Sequence, residues 1–145
     1  LVQSLSAYDS WTTITQGLSG AAATFDADPD NDGLANGLEW ILGGNPNSSS
    51  PSMVPTATLD ASNNLVITFN RLEASINETT LKLEYGTDLS TWPGQIAIGA
   101  TSTGPDANGI GVSINSAASP DIVTVTIPAS SASSGRIFTR LNARK

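Results

Sequence analysis

The chain has no cysteine and no histidine. Without cysteine there is no disulfide framework, no thiolate metal site and no cysteine nucleophile. Without histidine the commonest general base is missing, and with it the Ser-His-Asp triad and nearly every zinc or iron site. Charge is scarce as well: 13% of the residues are charged, about half the usual share. What charge there is leans acidic, with thirteen Asp and Glu against six Lys and Arg for a net −7. That balance argues against nucleic acid and anionic membranes as partners, because a phosphate surface repels it. No apolar run is long enough to span a membrane. There is no signal peptide, and the chain opens at Leu1 rather than methionine, which reads as an excised domain or mature fragment of a larger protein.

What is present suits one β-rich domain. The 145 residues are 39% hydrophobic, enough for a single modest core. Ser, Thr, Asn and Gly must supply the polar surface that charged residues do not. Such a composition is common in exported proteins, so a secreted or cell-surface location is expected.

The hydrophobic period divides the chain into a 1–50 segment and a 51–145 segment, packed as one unit. In the first, Tyr8, Trp11, Ile14 and Leu18 recur at helical spacing and predict a short amphipathic helix near 6–17. Ala35 to Leu42 predicts a second helix, stopped by Gly43-Gly44 and Pro46. Between 45 and 51, Asn, Pro and Ser mark a linker or long turn. From about residue 55 the period becomes two. Residues 56–60 and 65–71 read as a hairpin, and Leu81/Leu83/Tyr85, Ile96/Ile98, Val112/Ile114, Val123/Val125/Ile127 and Ile137/Thr139/Leu141 each mark a strand. The expected fold is mainly β: an antiparallel β-sandwich of about seven strands, immunoglobulin- or fibronectin-like, carrying a short N-terminal helix and a loop–helix.

One motif stands out. Asp28-Pro29-Asp30-Asn31-Asp32-Gly33-Leu34-Ala35-Asn36-Gly37-Leu38-Glu39 has the spacing of a twelve-residue calcium loop. Asp28, Asp30 and Asp32 offer carboxylates at positions 1, 3 and 5. Gly33 at position 6 permits the sharp turn. Leu34 offers its carbonyl at position 7, Asn36 its side chain or a water at 9, and Glu39 two oxygens at 12. Calcium takes six to eight oxygen ligands, whereas magnesium keeps tighter octahedra with more water, so Ca2+ is the expected ion. Without a cation these acids repel one another. A single loop, with no clear helix entering it, is not the paired arrangement of a calcium sensor. Its affinity is expected on the order of micromolar to sub-millimolar.

The same residues, continued by Glu39-Trp40, Leu42-Gly43 and Asn45-Pro46, resemble a C-terminal accessory module of large exported bacterial proteins. The loop itself is similar to thrombospondin type 3 and dockerin calcium loops. In that family a Trp-bearing helix precedes the loop and a β-rich part follows. Leu65-Val66-Ile67-Thr68-Phe69-Asn70-Arg71, Asp88-Leu89-Ser90-Thr91-Trp92 and Arg136-Ile137-Phe138-Thr139-Arg140-Leu141 resemble its later signatures. The resemblance implies a non-catalytic module that rigidifies, anchors or targets its parent polypeptide, with calcium on Asp28, Asp30, Asp32, Leu34, Asn36 and Glu39. A dockerin carries two such loops; one is present here. Gly37 is an odd residue for a helix, and Trp40 stands where the family commonly has Tyr.

The alternative function is a carbohydrate-binding module attached to a polysaccharide-degrading enzyme. Trp92 and Tyr85, with the other aromatics, are the candidates for stacking on sugar rings; Trp40 reads instead as packing the calcium helix onto the sandwich. Arg136 and Arg140 on one strand face are candidates for an anionic glycan, against plain charge balance. Glu73, Glu78, Glu84 and Asp88 are the carboxylates a glycosidase would draw on, but Glu84 alternates with Lys82 and reads as a solvated cross-strand charge. No enzyme activity is expected.

Overall fold

The computed structural model describes residues 3–145; residues 1 and 2, at the head of the 1–50 segment, lie outside that range. It is mainly β, with seven strands in two antiparallel sheets. In chain order these are β1 (Thr56–Leu59), β2 (Leu65–Arg71), β3 (Thr80–Gly86), β4 (Gly94–Ala97), β5 (Gly111–Asn115), β6 (Asp121–Ile127) and β7 (Phe138–Arg144). One sheet runs β1-β2-β6-β5 and the other β4-β3-β7. The first is the A-B-E-D order of an immunoglobulin sheet. Each expected strand is present, because alternation puts one residue in two against the facing sheet. Ile67, Phe69, Leu81, Leu83, Ile96, Val112, Val123, Val125 and Ile127 form the buried core.

Two short α-helices precede the strands. α1 (Ala7–Ser10) begins at Ser6, whose hydroxyl accepts from the Asp9 amide, and runs on as a π-helical turn over Trp11–Thr15. That wider turn rotates the inward stripe. Tyr8 and Thr12 are buried, at 2% and 1% exposure, while Ile14, expected on the inner face, is 73% exposed. α2 (Asn36–Leu42) ends at Gly43, which is left-handed at φ 87° and so needs no Cβ. Ahead of the loop the chain makes only a 3-10 turn, Gly20–Ala23, so the motif is a loop followed by one helix.

The helical part is fastened to the sandwich along several lines. Glu78 receives the amides of Ala7 and Tyr8, at 2.6 and 3.1 Å, capping α1 from outside. Lys145 donates to Asp9 at 2.9 Å and to Ser6 at 3.0 Å. Ile41 and Leu42 of α2 join the sandwich core. Trp40 is buried as the sequence suggests, but its ring meets Tyr8 edge-on at 5.4 Å, so it packs α2 onto α1. The loop and α2 lie over the flank where β1 and β7 are edge strands. There Leu34, Leu38 and Leu42 line a cleft of about 330 Å³ with Ala57, Ile67, Leu83 and Leu141.

At the far end of the β2–β6 ladder, Arg71 and Asp121 are register partners. They form a buried ion pair at 2.6 Å, each 2% exposed. Among the described residues, no helix is long and apolar enough to cross a membrane.

Candidate metal centre

The loop from Asp28 to Leu34 wraps around its own carboxylates. Asp32 N–H donates to Asp28 Oδ1 and to Asp30 Oδ1, each at 3.2 Å. Gly33 N–H donates to Asp28 Oδ2 at 3.0 Å and Leu34 N–H to Asp32 Oδ1 at 2.9 Å. Asn31 and Gly33 make this possible with φ of 60° and 92°, the left-handed region that Asn tolerates and Gly enters freely. The result gathers one carboxylate oxygen from each of Asp28, Asp30 and Asp32 within 4.8 Å of one another. Among the described residues this is the one acidic group close enough to hold a metal ion.

The donors behind the loop are buried. Glu39 is fully buried, and its Oε2 has no hydrogen-bond partner. Asp30 Oδ2 also lacks one. An unpaired buried carboxylate oxygen is costly. Burial, then the charges of Asp30 and Asp32, push the Glu39 carboxyl up to about 7. Desolvation and the Asp32 and Asp28 carboxylates likewise hold Asp30 above the usual range. Asp32 goes the other way, lowered by the amides of Ser50 and Leu34. Oxygen donors short of positive charge are the environment a hard cation fits.

The other expected ligands are placed as follows. Leu34 is half-buried, its side chain in the flank cleft, which ties the loop to the sandwich. Asn36 is fully buried and donates its amide hydrogens to the carbonyls of Ala22 and Thr24, at 2.7 and 2.9 Å. It therefore stitches the start of α2 to the 20–24 turn. Ser50 is a participant the sequence hid inside an apparent linker. Its N–H donates to Asp32 Oδ2 at 2.7 Å and its hydroxyl to Glu39 Oε1 at 3.4 Å. The one available signal was a run of serines just beyond the helix stop.

The aromatic candidates do not share a surface. Tyr85 points into the sandwich and packs on the core, its ring against Gly94, where a Cβ would collide with it. Trp92 is half-buried and lies on the opposite face, with the Arg140 guanidinium 4.4 Å from its ring. The carboxylates weighed for hydrolysis are dispersed. Glu78 caps α1, and Asp88 caps its own turn through the Ser90 and Thr91 amides. Glu84 does lie on the outward face, but it is buried rather than solvated, at 5% exposure. Arg140 and Asn142 enclose it, donating at 2.7 and 3.1 Å.

The chain matches no family model, no curated protein and no solved structure. The function is therefore argued from the site.

Proposed function

We propose that the chain is a non-catalytic, calcium-binding accessory module of an exported bacterial protein, and that the ion clamps the helical segment onto the sandwich. One observation carries this reading: three aspartate carboxylates converge within 4.8 Å beside a fully buried glutamate that has an oxygen to spare. Asp28, Asp30, Asp32 and Glu39 would hold the ion by side chain and Leu34 by its carbonyl, with Asn36 acting directly or through water. All the donors are oxygen, which suits Ca2+ and not a soft or imidazole-seeking metal. The ion would supply charge neutralisation. The chain supplies the pre-shaped loop, the Ser50 amide that orients Asp32, and the Ile41 and Leu42 contacts that pass the constraint to the core.

A site at a hundredfold saturation adds about 2.7 kcal/mol to folding stability, a sizeable part of a small domain's total. In calcium-rich surroundings the module would be rigid, which fits a spacer or anchor within a longer parent polypeptide. Isothermal titration tests the reading: one Ca2+ per chain in the micromolar to sub-millimolar range, abolished in an Asp32→Ala protein. Binding that survives Asp32→Ala would refute it.

A further inference from the structure

The outer face of the β4-β3-β7 sheet carries an unexpected concentration of positive charge. Of the six basic residues, Arg71 is buried against Asp121 and Lys145 is paired with Asp9. Lys82, Arg140 and Arg144 all lie on this one face, and Arg136, expected beside Arg140, falls before β7 begins. Register places Lys82 opposite Asn142, Glu84 opposite Arg140 and Thr80 opposite Arg144, with Gln95 beside Glu84. Thr80, Lys82, Glu84, Gln95, Asn142 and Arg144 line a polar hollow of about 320 Å³. Arg140 and Arg144 stand four residues apart on β7, about 13 Å along the strand, with Lys82 between them on the neighbouring strand.

We infer that this face binds an acidic polysaccharide, one bearing carboxylate or sulfate groups along a sugar chain. Three features match that chemistry. The cations are spaced in a row and not clustered, as a ligand with one charge per sugar requires. Between them stand Gln95, Asn142 and Thr80, amide and hydroxyl groups suited to sugar hydroxyls. Arg140 is held ready by Glu84 at 2.7 Å on one side and by the Trp92 ring at 4.4 Å on the other, so little freedom remains to be lost on binding. Arg144 is exposed and has no ion-pair partner among the described residues. Duplex nucleic acid fits less well. Its charge density, one phosphate per about 1.7 Å, is far higher than three cations spread along this face can match.

This inference goes beyond the calcium reading and does not depend on it. The test is affinity electrophoresis of the whole chain through gels containing polygalacturonate, a sulfated galactan or a neutral β-glucan, backed by titration calorimetry. Retention by either acidic polymer, and not by the neutral one, is expected, and the polymer that retains it names the acid group. A Lys82→Ala/Arg144→Ala protein, altered at two exposed positions, should bind at least tenfold more weakly while its calcium isotherm is unchanged. An Asp32→Ala protein should still be retained, which separates the sheet face from calcium bridging at the loop. The inference is overturned by absence of retention on both acidic polymers, by undiminished binding of the double variant, or by equal retention on polyglutamate or duplex DNA.

Discussion

The backbone amide of Ser50 donates to Asp32 Oδ2 at 2.7 Å across eighteen residues of sequence. It folds the segment after α2 back over the acidic loop and brings the Ser50 hydroxyl to Glu39 at 3.4 Å. That hydroxyl also accepts from the Asn45 amide at 2.9 Å. Ser50→Ala keeps the amide but leaves Asn45 N–H and Glu39 Oε1 without this partner. Urea unfolding in chelator should show a loss of about 1–3 kcal/mol, and calcium titration a weaker site. An unchanged unfolding midpoint would assign Ser50 no part in the loop.

Gly37 looks like a flaw in a helix, since Ala is better there by about 1 kcal/mol. The packing reverses that preference. A Cβ at 37 would run into the Phe25 ring, and the Gly37 amide donates to the Phe25 carbonyl at 2.9 Å. Gly37→Ala should therefore destabilise the fold by about 1–3 kcal/mol through overpacking, read as a lowered thermal midpoint. A raised midpoint would mean Phe25 does not rest on α2.

Arg71 and Asp121 are sealed from solvent, and the Arg71 Nε and Asp121 Oδ1 atoms have no partner in the protein. Removing one charge strands the other. Asp121→Ala should cost about 3–5 kcal/mol by equilibrium unfolding, and Arg71→Met/Asp121→Leu together should recover much of that loss. Equal damage from the single and double changes would contradict the ion-pair account.

Much of the architecture is legible in the sequence because a two-residue period has one cheap solution when one face is buried. Leu81-Lys82-Leu83-Glu84 shows its inward and outward sides at a glance. What is hidden depends on partners distant in sequence. Thr12 replaces Ile14 on the inner face because a π turn, which leaves no mark in composition, rotates the helix. Glu84 is buried because Arg140, fifty-six residues on, lies across it. The acidic loop is legible because its carboxylates and its turn residues all fall within twelve residues of sequence. Ser50 lies outside that span, and only the return of the chain places it there.

Asp88 offers a pH test far from the loop. It accepts from the amides and hydroxyls of Thr91 and Ser90, which lower its carboxyl to about 2. That is below the unfolded value of about 3.9, so its contribution to the turn is complete above that value and is lost as pH falls through about 2. Carboxyl-carbon NMR titration should give a midpoint near 2 for Asp88. A midpoint near 4 would mean these hydrogen bonds are not kept in solution.

The most direct measurement is a crystal structure of the chain grown in millimolar calcium chloride. The account predicts one ion with six to eight oxygens at about 2.3–2.6 Å, among them Asp28, Asp30, Asp32, the Leu34 carbonyl and the Oε2 of Glu39 that now lacks a partner. A loop that stays empty, or an ion that leaves Glu39 turned away, would contradict it.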